Sequence, residues 1–114
     1  MTKVFVKDNG EQIEIYAEGH SGYGERGTDI VCASVSTLLQ SFALFCEKDR
    51  RVSISRFQMD EDKGLLRMWI YDPMRVAKNP LQRVKEGLEA IEDKYPENLE
   101  FMRVKRMSDP LGEI

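Results

Sequence analysis

A chain of 114 residues, 41% hydrophobic and 32% charged, has room for one modest core and the composition of an ordinary globular domain. A net charge of -3 argues against wholesale polyanion binding, although Lys48, Arg50, Arg51 and Arg56, and separately Arg103, Lys105 and Arg106, form local basic clusters. The sequence shows no secretory-type apolar segment and no apolar run near about 18 residues, so a cytoplasmic protein without membrane contact is expected, and its two cysteines, Cys32 and Cys46, are expected as free thiols.

Residues 2–7 alternate, with Val4 and Val6 on one side and Lys3, Phe5 and Lys7 on the other. Asp8-Asn9-Gly10 is a turn signal, and residues 12–17 alternate again through Ile13, Ile15 and Ala17. The pattern predicts a β-hairpin with one buried face. Residues 29–47 read as a helix that is apolar nearly all round, as expected of a central helix covered on two sides by the sheet and by a second helix or a twin subunit. Small residues at Ala33, Ser34, Ser36 and Ser41 would allow the close approach.

Two further strands are predicted over 51–59 and 64–71, joined by Asp60-Glu61-Asp62-Lys63-Gly64. Leu66, Met68 and Ile70 share one face of the second strand, Trp69 and Tyr71 the other. Asn79-Pro80 opens a helix whose stripe of Leu81, Val84, Leu88 and Ile91 runs to about Lys94. Residues 98–107 form a last strand and 108–114 a frayed tail. The order ββαββαβ predicts a single α+β domain over 1–107, with a mostly antiparallel sheet and two helices packed on one face.

The chemistry concentrates between Gly19 and Ser36. The only histidine, His20, leaves the hairpin into a loop containing Gly22, Gly24 and Gly27, expected to be flexible. The loop feeds a helix whose first turn carries Cys32. Helix N-termini present unpaired N–H groups and a positive dipole end, which favour a thiolate. Imidazole is suited to taking the thiol proton near neutrality, so His20 and Cys32 are candidate base and nucleophile. Thr28 or Asp29 can cap the helix, and Asp29 could alternatively orient the imidazole. Ser36, four residues after Cys32, shares its helix face and is a candidate supporting residue. The backbone N–H groups of Cys32, Ala33 or the glycine loop are candidate oxyanion donors. Cys46 lies about 40° round the same helix but near its C-terminus, where the dipole opposes a thiolate, and reads as core.

Gly19-His20, a short glycine-containing loop, then Gly27-Thr28-Asp29-Ile30-Val31-Cys32-Ala33 and Ser36 resemble the bacterial ribosomal-processing cysteine protease family. The likeness extends over about residues 1–107. It implies a small α+β homodimer that removes the N-terminal extension of large-subunit ribosomal protein number twenty-seven, cutting after an aromatic pair. It also implies that the dyad falls on His20 and Cys32, with the family's aspartate at Asp29. Ser21 departs from the pattern, since the family more often carries alanine there.

Two other readings compete. Gly22-Tyr23-Gly24-Glu25-Arg26-Gly27 spells a dinucleotide fingerprint, but an antiparallel hairpin precedes it, the helix starts after it, and Glu25 would face a pyrophosphate unfavourably. The basic clusters would suit a non-catalytic assembly factor that touches RNA, with transient ribosome contact. One histidine and two distant cysteines do not make a zinc site, and no cofactor is expected.

Overall fold

The computed structural model describes residues 1–25 and 27–104, the last two by backbone alone. Its elements are β1 (Thr2–Asp8), β2 (Gln12–Glu18), α1 (Ile30–Lys48), β3 (Ser53–Asp60), β4 (Leu65–Tyr71), α2 (Lys78–Lys94) and β5 (Leu99–Val104). The five strands form one sheet in the order β3-β4-β2-β1-β5. Three pairings are antiparallel, and β5 returns parallel to β1. The α+β class, the ββαββαβ order and the single domain are as the sequence predicts. The continuation of the last strand to 107, the tail 108–114, and Arg26, Lys105 and Arg106 lie outside the described residues.

The first turn closes through its own side chains: Asp8 Oδ1 accepts from Gly10 N at 2.8 Å and Asn9 Oδ1 from Gln12 N at 2.9 Å. This sets a register that pairs Val4 with Ala17 and Val6 with Ile15, and β4 continues the row with Met68 opposite Ile15 and Ile70 opposite Ile13. One face is therefore uniformly apolar. Against it lie Val31, Val35, Leu39, Phe42 and Cys46 of α1 and Leu81, Val84 and Leu88 of α2, all buried. At roughly 1.5–3 kcal/mol per buried aliphatic side chain, this layer dominates stability.

The opposite face departs from the expectation of a hairpin buried on one side. Phe5, Lys7 and Glu14 are also buried. Phe5 packs on Tyr16 with ring centroids 5.8 Å apart. Glu14 accepts from Arg67 Nε at 2.7 Å and faces Lys7 Nζ at 3.6 Å. The Arg67 guanidinium lies over Trp69 at 4.4 Å and Tyr16 at 5.1 Å. Charge pairing and cation–π stacking thus shield a surface that alternation alone assigns to solvent.

Other differences have local causes. Strand β3 begins at Ser53, not 51, because Asp49 binds Arg51 through both the backbone N–H and the guanidinium and holds a turn there. Helix α2 begins at Lys78, before Asn79-Pro80, because buried Asp72 accepts from Val76 N and Ala77 N, both at 2.9 Å, and starts the turn early. With a mean hydropathy of 1.6, α1 is long and apolar enough to cross a membrane by length and composition, contrary to the sequence reading, but its most apolar stripe is packed on the sheet.

Candidate active site

Strand β2 delivers His20 to the end of the sheet. Gly19 turns the chain there at φ +86, and a Cβ on it would lie 2.5 Å from the Met1 carbonyl oxygen, so only glycine fits. Thr2 Oγ1 donates to the Gly19 carbonyl at 2.9 Å and fixes the turn. The imidazole lies against the β3–β4 turn, with Nε2 3.2 Å from the Asp62 carbonyl oxygen. Gly64 closes this contact. A Cβ there would come within 3.2 Å of His20 Cε1 and 3.0 Å of the Gly19 carbonyl carbon.

Helix α1 delivers the thiol. Asp29 is the N-cap, with Oδ1 accepting from Val31 N at 2.9 Å and Cys32 N at 3.0 Å. Its other oxygen accepts from Ser21 Oγ at 2.5 Å, Gly24 N at 3.0 Å and Tyr23 N at 3.1 Å. One buried carboxylate therefore ties the glycine loop to the helix start. Burial by itself would raise its pKa. The Ser21 hydroxyl and the N–H groups of Cys32, Gly24 and Val31 outweigh that and hold the carboxyl at about 2. Of the two roles open to Asp29, the structure gives it the cap and the loop tether. Thr28 instead donates its hydroxyl to the Glu25 carbonyl.

Cys32 is half-buried, and its Sγ accepts from Ser21 N at 3.3 Å. Ser21 is held from three sides: by Cys32, by Asp29, and through its carbonyl by Asn98 Nδ2 at 3.0 Å. The Ser21 hydroxyl, at the position where the resemblance leads one to expect alanine, thus has a partner, the Asp29 carboxylate. The Tyr23 ring packs edge-on against Tyr95 with centroids 5.0 Å apart.

His20, Asp29, Cys32 and Ser36 line one cavity of about 380 Å³, together with Gly24 and Gly27. Gly22 is not part of the lining. The floor is apolar, formed by Ala17, Val35, Leu39 and Leu66, and Met59 to Glu61 of the β3–β4 region stand at its rim. Ser36 Oγ accepts from Gln40 Nε2 at 2.5 Å. Two proposed oxyanion donors are already used: Cys32 N by Asp29 Oδ1, and Ala33 N by the Asp29 carbonyl at 3.0 Å. The anion site that a dinucleotide fingerprint needs at a helix start is likewise taken by the Asp29 carboxylate. Among the described residues no three metal-ligating side chains converge. Cys46 contrasts with Cys32. It is buried in the core, and burial, with the Asp72 and Asp49 carboxylates adding to it, pushes its thiol up to about 12.

Sequence reasoning missed Asn98, the Asp62 carbonyl and Gly64. Asn98 is 77 residues from its partner. A main-chain carbonyl has no residue signature. Gly64 ends an acidic turn, which is a weak signal for a close approach.

The profile of the family described as "Cysteine protease Prp" matches residues 1–100. The "Ribosomal processing cysteine protease Prp" of two Staphylococcus aureus strains is 30% identical over 99 residues, covering 84% of this chain and 91% of the relative. Among solved structures, S. aureus Prp with a covalently linked product peptide superposes with a TM-score of 0.79 at 24% identity, covering 91% of this chain and 100% of that one. The same enzyme with a substrate peptide gives 0.75 at 23% identity over the same coverage; these two likenesses establish the shared fold. A Streptococcus mutans protein gives 0.66 at 28% identity, covering 93% of this chain and 96% of that one.

Proposed function

Because this chain belongs to the cysteine protease Prp family, we propose that it is an endopeptidase in which Cys32 is the nucleophile and His20 the base. Its substrate is the N-terminal extension of large-subunit ribosomal protein number twenty-seven. The observation that carries this reading is the meeting of the only histidine and the half-buried thiol in one apolar-floored cavity. The deprotonated Cys32 sulfur attacks the scissile carbonyl, and the His20 imidazolium protonates the leaving amine. Water then hydrolyses the thioester with His20 as base. The floor of Ala17, Val35, Leu39 and Leu66 suits apolar side chains on the acyl side of the cut. The S. aureus relative, solved with substrate and product peptides, supports a peptide as the ligand.

The setting proposed is the cytoplasm, in ribosome assembly, with transient ribosome contact. The protein is proposed to act as a homodimer. Ile30 and Leu44 on the outer side of α1, with Phe57 of β3, are large apolar side chains about half exposed, and a second copy would cover them. Leu44→Asp should then run as a monomer in sedimentation, and an unchanged sedimentation coefficient would refute this interface.

The activity is tested with a peptide carrying two aromatic residues before the scissile bond. Cys32→Ala and Cys32→Ser should each lose at least about 10³-fold in kcat/KM. Cleavage by Cys32→Ala at the wild-type rate would end the proposal.

A further inference from the structure

The imidazole of His20 has its Nε2 3.2 Å from the Asp62 carbonyl oxygen. A carbonyl oxygen only accepts, so this hydrogen bond requires the proton on Nε2. In the neutral ring the lone pair is then on Nδ1. We infer that the main-chain carbonyl of Asp62 orients the catalytic base: it holds His20 as the Nε2–H tautomer and so assigns proton transfer with Cys32 to Nδ1. This rests on the Cys32–His20 reading above.

Triads commonly give the orienting task to a carboxylate or amide side chain on the far nitrogen of the ring. Here the Asp29 carboxylate, which lines the same cavity, has both oxygens committed to five donors from the loop and helix. The β3–β4 turn supplies the acceptor instead. The turn is itself braced, with Lys63 N donating to Asp60 Oδ1 and Gly64 N to the Glu61 carbonyl, both at 3.2 Å. Gly64 packs on the ring edge at φ +63, in the left-handed region, where a side chain would be both strained and in contact with His20 Cε1 and Gly19.

The proton inventory closes. The thiol proton passes to Nδ1, giving an imidazolium whose Nε2–H stays on Asp62. The Nδ1 proton leaves with the product amine as the C–N bond breaks and the thioester forms. A water proton then returns to Nδ1 while its oxygen bonds the acyl carbon, and that proton goes to sulfur as the C–S bond breaks and the carboxylic product leaves. Asp62 exchanges no proton at any step, which suits an acceptor that cannot be protonated.

Having one histidine makes the test direct. In protein labelled with ¹⁵N-histidine, with the ring neutral, long-range ¹H–¹⁵N spectra should show a pyrrole-type Nε2 and a pyridine-type Nδ1. An Nδ1–H ring, or the averaged signals of a ring with no preference, would overturn the inference without any variant. Gly64→Ala should displace the turn, mix the tautomers, and lower kcat at least about tenfold with KM within about twofold, part of the roughly 10²–10⁴-fold contribution of a positioned base. A Gly64→Ala enzyme with a scrambled ring and wild-type kcat would also overturn it. Failure of the parent reading looks different: Cys32→Ala would then cleave, whatever the tautomer. An Nδ1–H ring in an enzyme that needs Cys32 would remove only the role given to Asp62.

Discussion

Replacing Asp29 with asparagine separates its two tasks. The amide oxygen can still cap Val31 and Cys32, but the amide nitrogen would face the N–H groups of Tyr23 and Gly24, which are donors. The loop tether is lost while the helix cap survives. The carboxyl is held at about 2, against an ordinary 3.8: burial opposes this, and the Ser21 hydroxyl and backbone donors more than offset it. At about 1.4 kcal/mol per tenfold change in proton affinity, the preference for the charged form corresponds to roughly 2 kcal/mol. Because the folded value is the lower one, that stabilisation is complete above about pH 4 and disappears as the pH falls through about 2. Urea unfolding at pH 7 should therefore show Asp29→Asn less stable by about 2 kcal/mol. The gap between wild type and variant should narrow progressively from pH 4 to pH 2. Peptide cleavage should also fall, by up to about 10²-fold, as the segment joining His20 to Cys32 loosens. Equal stabilities at pH 7, or a gap that widens in acid, would refute the assignment of Asp29 as a charged tether.

Alkylation of the native protein with iodoacetamide near neutral pH should label Cys32 and leave Cys46 untouched until unfolding, as peptide mass mapping would show; comparable labelling would contradict the burial of Cys46. Cys46 should also contribute to alkaline sensitivity. Burial first, then the Asp72 and Asp49 carboxylates, raise its thiol from 9.0 to about 12, so between those values only the unfolded chain ionises it and stability falls. Cys46→Ala should flatten that part of the pH profile. Asp72→Ala strands the Val76 and Ala77 N–H groups at the start of α2 and should cost about 2–3 kcal/mol in urea unfolding; a loss below about 0.5 kcal/mol would mean that the turn forms without it. In His20→Gln, Cys32 should alkylate at least about tenfold more slowly near neutral pH, whereas an unchanged rate would mean that the helix start alone activates the thiol.

The strands and helices were legible because each carries one period and ends in its own punctuation: Asp8-Asn9-Gly10, Asp29, Asp72-Pro73. The pairing of β5 with β1 was not, since Leu99 and Phe101 show a buried face but no direction. The burial of Phe5 and Lys7 was not, because alternation assigns a side and says nothing of what covers it. In the site, Gly19, His20, Asp29 and Cys32 stood out through local spacing. The choice between cap and charge partner for Asp29 could not be made from spacing, because both need the same residue at the same position. It turns on which donors the loop brings to its second oxygen, and Ser21, Tyr23 and Gly24 bring three.

The geometry also changes the electrostatic setting of the proposed nucleophile. The sequence suggests that the start of α1 stabilises an anionic sulfur through its free N–H groups and dipole. In the folded chain the N–H groups of Val31 and Cys32 are spent on Asp29, whose full negative charge sits at the same helix end and opposes a second anion beside it. The donor left to the sulfur is Ser21 N, at 3.3 Å. That donor is fixed by the Asp29 tether and by Asn98. The carboxylate that weakens the helix's direct effect thus holds in place the N–H that replaces it. Among the described residues that line the cavity, His20 is the one basic side chain, so in the proposed dyad the imidazolium, held by the β3–β4 turn, is the group set against the sulfur where the helix start is not.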